Sequence, residues 1–173
     1  AEVTVLDDGF AGRIGAGQGK EVTARGSGGG TAKAQLIEHV KVEAVGVTLP
    51  DVTAAIIDLD DVGKRLFDRP LEAIVGRELF DAVRLSIDIE GGAIHALPRA
   101  AAPRGVKLPL RTFHGIETVP ISIEAGRPVQ AEFDLGNGSD MLIGKAYAAR
   151  AGLLKRVHAT EQGGGIGGAV HRQ

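Results

Sequence analysis

Cysteine and tryptophan are absent from the 173 residues, methionine and tyrosine occur once each, and aromatic residues make up only 3%. Without cysteine there is no disulfide framework and no thiolate metal site. With so few aromatic side chains, the core has to be built from Val, Ile, Leu and Ala. No apolar run approaches the roughly 18 residues that cross a bilayer as a helix. An excess of charge of one sign is missing too: 20 Lys and Arg stand against 22 Asp and Glu, for a formal net charge of -2. The two signs are mixed along the chain, so no basic stripe points to nucleic acid and no polybasic end to a membrane surface. The five histidines, His39, His95, His114, His158 and His171, stand singly and none lies four residues from another, which is not the spacing of a helical metal site. No pattern in the chain calls for a metal or a cofactor.

Glycine is what the chain has in plenty, with 26 residues, about twice ordinary usage. Short aliphatic strands joined by tight turns point to a β-rich fold. Two glycine clusters read as hairpin tips: Gly26-Ser27-Gly28-Gly29-Gly30-Thr31 and Gly163-Gly164-Gly165-Ile166-Gly167-Gly168. The second fits Gly-x-Gly-x-x-Gly, but a dinucleotide loop must open a helix, and only Ala169-Val170-His171-Arg172-Gln173 follows. Gly15-Ala16-Gly17-Gln18-Gly19-Lys20 fails as a phosphate loop. Ile14 takes the place of the first glycine, and Glu21 stands where Ser or Thr would hold magnesium. Ser139 lacks the Gly-x-Ser-x-Gly elbow of a serine hydrolase.

Each cluster is preceded by an apolar residue running into Asp-x-Gly: Leu6-Asp7-Asp8-Gly9 and Phe133-Asp134-Leu135-Gly136. Asp134 is expected at the tip of a turn, between a strand ending at Phe133 and an apolar strand, Met141-Leu142-Ile143. The intervals from carboxylate to glycine cluster differ, 26 − 7 = 19 against 163 − 134 = 29. The longer one holds Lys145-Ala146-Tyr147-Ala148-Ala149-Arg150-Ala151-Gly152-Leu153, which reads as a short helix stopped by Gly152. The first interval is expected to lack that helix, or residues are missing from it.

Elsewhere, residues 2–6, 32–47 and 52–59 alternate or run apolar as strands do, with a turn at 48–51. Residues 60–70 read as a charged surface loop, with Lys64, Arg65 and Arg69 on a solvated face. Strands at 83–89 and 93–97 flank Gly91-Gly92. Residues 98–109 carry three prolines and read as an extended linker. Strands at 118–124 and 127–131 flank Ala125-Gly126.

These motifs, in this order, resemble the retropepsin-like aspartic proteases, in particular the bacterial two-lobed ones. Asp134, Gly136 and Gly152-Leu153 stand where the family's active-site turn, short helix and Gly-Leu stand, and Ile74-Val75-Gly76 takes the place of its apolar-apolar-Gly. The resemblance implies an all-β fold: a first β-barrel lobe over residues 1–97, a linker over 98–111, and the front half of a second lobe over 112–173. It implies an aspartic endopeptidase that hydrolyses peptide bonds through a water activated by two carboxylates, Asp7 and Asp134. Two such groups share one proton and titrate as a pair. The same resemblance makes Gly9 and Gly136 the backing of the two turns. Gly28, Gly29, Gly165 and Ile166 become flap residues over a peptide or protein substrate. No metal or cofactor takes part, and an extracytoplasmic location follows from the family alone. A complete lobe also needs strands before Asp7 and after the second flap. Residues ahead of Ala1 and beyond Gln173 are therefore expected, or strands from a partner, such as a second copy in a homodimer. Leu135 and Asp8 replace the family's hydroxyl residues in both turns. They support an alternative, a non-catalytic peptide-binding or interaction module on the same fold.

Overall fold

The computed structural model describes residues 1–26, 28–102, 105–113, 116–136, 140–156 and 160–172. Strands take 42% of the chain and helices 18%, so the molecule is mostly β, as the aliphatic and glycine content requires. It divides into two compact units, Ala1–Ala101 with Thr160–Gln173, and Ala102–Ala159. The division falls inside the proline-rich segment. Residues 160–173, expected with the second lobe, group with the first unit instead.

The first unit contains β1 (Thr4–Asp7), α1 (Asp8–Arg13), β2 (Lys20–Arg25), β3 (Thr31–Ala44), β4 (Val47–Ile57), α2 (Asp60–Phe67), β5 (Ala73–Ile74), α3 (Glu78–Ala82), β6 (Arg84–Asp88) and β7 (Ala93–Leu97). The second contains β8 (Arg111–Phe113), β9 (Ile116–Ile121), β10 (Val129–Glu132) and α4 (Lys145–Arg150). The hairpin β11 (Glu161–Gly165) and β12 (Gly168–Arg172) completes the first.

Five strands form one mixed sheet in the order β2-β3-β4-β1-β5. β1 lies parallel to β4 and antiparallel to β5. Among the described residues the sheet is open, with β2 and β5 as its edges, and does not close into the expected barrel. Successive side chains of β1 and β4 enter opposite faces. Val5 packs with Ala34, Ala55, Ile57 and Leu59 on one side. Leu6 packs with Ala11, Ile37, Ala54 and Ile56 on the other. Both faces of the central strands are therefore covered, which is why Ala54-Ala55-Ile56-Ile57 is a continuous apolar run rather than an alternating one. Leu59 is fully buried at the end of it, and its truncation to Ala costs about 2–5 kcal/mol.

Two expectations fail for reasons that lie in the backbone. The turn expected at 48–51 lies earlier, at Val45 and Gly46, with φ of 46° and 76°; two positive φ values in a row suit a tight hairpin. Pro50 then sits inside β4. The ladder passes from Val42↔Leu49 to Val40↔Val52 there, an irregularity that accommodates a residue with no N–H to donate. The charged loop expected at 60–70 contains α2. Asp60 and Asp61 fall in its first turn and Lys64 and Arg65 in its last, the charge order that complements a helix dipole. At Gly76 two backbones approach closely: a Cβ there would lie 2.5 Å from the Thr4 nitrogen. Its N–H donates to the buried Thr4 Oγ1 at 3.1 Å, and the Thr4 N–H donates to Glu78 at 3.0 Å.

Candidate functional site

Asp7 is the last residue of β1, in extended conformation, and it caps α1. Its Oδ2 accepts the Phe10 N–H at 3.1 Å. Its Oδ1 accepts the Leu59 N–H, also at 3.1 Å, at the entry to α2. One carboxylate thus satisfies an orphan donor at the start of α1 and a second amide on a fully buried residue. Gly9, expected to back a turn, lies within α1. The helix expected to be missing after Asp7 is therefore present and starts at the next residue. Asp58 and Asp60 bring their carboxylates close to that of Asp7, all within 4.8 Å, and both are exposed. They cluster at the N-terminal end of α2, where negative charge is favoured.

Asp134 has a different setting. It is exposed, in the loop that follows β10, and its Oδ1 accepts the Gly136 N–H at 2.8 Å. That is an Asx turn, which holds a carboxylate at a loop tip. Ser139, like His114 and His158, lies outside the described residues. Met141, Leu142 and Ile143, expected as a strand, form no regular element and are 63%, 54% and 40% exposed. The helix expected next is α4, followed by Gly152 at φ 72°.

The two helices reveal an internal repeat. Each has six residues, each ends on a cap residue with ψ of 0°, and each is followed by a glycine of positive φ, Gly15 at 65° and Gly152 at 72°. Asp7 matches Gly144, Gly15 matches Gly152 and Gly28 matches Gly165 (144 − 7, 152 − 15 and 165 − 28 are each 137). In the same register Phe10 matches Tyr147, Arg13 matches Arg150, and Ala11 matches Ala148. Those two alanines are the buried residues of their helices. The counterpart of Asp7 is thus the cap Gly144, not Asp134. The ten-residue discrepancy between the two carboxylate-to-glycine intervals is the separation of Asp134 from Gly144.

The glycine tips meet each other within the first unit. The Gly28 N–H donates to the Ile166 carbonyl at 3.0 Å and the Gly30 N–H to the Gly167 carbonyl at 2.8 Å. A Cβ on Gly28 would stand 2.5 Å from the Gly167 carbonyl carbon, so the backbones approach as only glycine allows. Ile166 packs its side chain against the Val5 and Leu59 cluster. The structure therefore brings Gly28, Gly165 and Ile166 together, with Gly29 beside β12 at 3.3 Å from its ideal Cβ to the Ala169 carbonyl oxygen. It pairs Asp7 with Gly9 and Asp134 with Gly136, in different units. Sequence reasoning missed Arg65, whose guanidinium donates to the Gly165 carbonyl at 3.2 Å. The i,i+4 pair Asp61 and Arg65 was the available signal, since it marks a helix. No protein-family profile, curated protein or solved structure matches the chain.

Proposed function

We propose that the protein is an aspartic endopeptidase in which Asp134 supplies one of two water-activating carboxylates. The observation that carries this reading is the repeated module: cap, six-residue helix, positive-φ glycine and glycine-rich hairpin, with the two hairpin tips hydrogen-bonded to each other. Asp134 stands ten residues ahead of the second module's cap, exposed and held by a turn amide. Asp7 keeps a structural task. In this chemistry the ionised carboxylate takes a proton from water while its protonated partner polarises the scissile carbonyl. Meeting hairpin tips exclude water from a bound peptide.

A second reading, a peptide-binding module without catalysis, draws on Asp7. Both of its oxygens are engaged by backbone amides, and Leu135 replaces a hydroxyl beside Asp134. The test is hydrolysis of a peptide library by the full-length protein at acid pH. Asp134→Asn is expected to abolish cleavage, and Asp7→Asn to retain turnover per folded molecule. Unchanged cleavage by Asp134→Asn sinks the enzyme reading. Peptide binding without cleavage by the parent protein establishes the second one.

A further inference from the structure

The hairpin β11–β12 is attached to the rest of its unit from three directions. Its tip carbonyls, Ile166 and Gly167, receive the N–H groups of Gly28 and Gly30. The Ile166 side chain sits on the aliphatic cluster around Val5 and Leu59. The third attachment comes from α2, where Arg65 Nη2 donates to the Gly165 carbonyl at 3.2 Å, across 100 positions of sequence. The Arg65 side chain is only 21% exposed, against 65% for its partner Asp61. Its Nε and Nη2 both reach Asp61 Oδ2, at 2.9 and 2.8 Å. That edge-on pairing fixes the plane of the guanidinium and leaves Nη2 aimed at the hairpin. An exposed ion pair alone contributes little. Here its effect is orientation.

We propose that Arg65 is a latch that holds the second glycine hairpin against the first, with Asp61 as the residue that aims it. Glycine-rich strands have little side-chain packing of their own, so a hairpin such as Glu161–Gly165 with Gly168–Arg172 depends on outside attachments to stay in place. A charged donor on a carbonyl is the strongest polar one available to it. The latch sits one residue before Ile166, so releasing it frees the apolar anchor and the two tip hydrogen bonds next in line. α2 is in turn seated by the Leu59 amide on Asp7. The Asp7 cap, α2, Arg65 and the hairpin tip form one mechanical series. The latch stands without the peptidase reading. Where that reading holds as well, the latch sets how often the hairpins part to admit a peptide.

Amide hydrogen exchange on the full-length protein tests this in the absence of substrate, so its failure is separate from any failure of catalysis. Arg65→Met keeps the apolar stem and removes the donors. Exchange in β11–β12 and at Gly28 and Gly30 is expected to speed up about tenfold, the effect of one lost charge-assisted hydrogen bond. Exchange in β1 and β4 is expected to stay at the parent rate. Arg65→Lys, a point charge without the planar fork, should fall between the two. Asp61→Asn, which leaves Arg65 in place but unaimed, should give a smaller acceleration confined to the same amides and serves if Arg65→Met does not fold. Unchanged hairpin exchange in these variants overturns the latch. So does an increase of equal size in β1 and β4, which marks a general loss of stability.

Discussion

Asp7→Ala separates a structural carboxylate from a catalytic one. The substitution removes two acceptors at once. Loss of the α1 cap on the Phe10 amide costs about 1 kcal/mol. The Leu59 amide, on a residue with 0% exposure, loses its acceptor as well, and an unsatisfied buried donor costs about 1–3 kcal/mol. Together the expected loss is about 2–4 kcal/mol, or roughly 4–16 °C in melting temperature for a chain of this size. Asp7→Asn keeps one oxygen and is a comparable cap, so about half that loss is expected. Asp134→Asn sits on an exposed Asx turn that asparagine also forms, and its stability should stay within about 0.5 kcal/mol of the parent. Thermal unfolding followed by circular dichroism, with peptide hydrolysis normalised to the folded fraction, measures both properties. If Asp7→Ala melts with the parent but has lost its activity, Asp7 is a reacting group and the cap assignment is wrong.

Other positions give sharper local tests. Gly28→Ala would put a Cβ 2.5 Å from the Gly167 carbonyl carbon and 2.6 Å from the Gly168 nitrogen, so it should break the tip contact; faster exchange at Gly30 without unfolding of β1 and β4 is the expected readout. Gly12→Ala should stabilise by up to about 1 kcal/mol, because nothing lies within 4 Å of that Cβ and the repeat already carries Ala149 there; a lower melting temperature would contradict the register. Thr4→Val takes the acceptor from the Gly76 N–H in a site only 1% exposed and should cost about 1–3 kcal/mol, read by denaturant titration. The hydrogen bond from Arg65 holds the Asp61 carboxyl below its ordinary value of 3.8. A depressed carboxylate contributes above its unfolded pKa and loses that contribution as pH falls through the folded one. Hairpin protection should therefore be steady above pH 4 and decline below 3.8, and a decline already present near neutrality would exclude Asp61 as its origin.

Much of the β framework was legible from local chemistry. β1 and β3 follow from aliphatic alternation and residues 52–57 of β4 from an apolar run, β6 and β7 flank the Gly91-Gly92 turn, and β9 and β10 flank a turn with positive φ at Glu124 and Ala125. The open edges of the sheet were not legible, because strand pairing depends on long-range register that no local pattern carries. α2 was hidden by its charges. Asp60-Asp61 and Lys64-Arg65 look like a solvated loop until they are placed on a helix, where they fall at the matching ends of the dipole and put Arg65 beside Gly165.

Asp-x-Gly serves two purposes, and at Asp7 it caps α1. It makes a turn that displays a carboxylate, and it makes a helix cap that consumes one. The residues that distinguish the two are not the aspartates. In this chain the register is held by Ala11 and Ala148, buried in their helices, and by Gly15 and Gly152, which need positive φ. Packing and backbone geometry restrict those positions, while a cap can be Asp in one copy and Gly in the other. The same register sets Met141-Leu142-Ile143 against Thr4-Val5-Leu6. The first-unit segment is buried because β4 pairs with it in parallel and β5 in antiparallel fashion. The second-unit segment is in no sheet among the described residues and is exposed. The difference lies in the neighbours and not in the segments, since the exposed one is the more apolar of the two. A strand is completed by what pairs with it, so the sequence of Met141-Leu142-Ile143 announces a strand that its surroundings in these residues do not form.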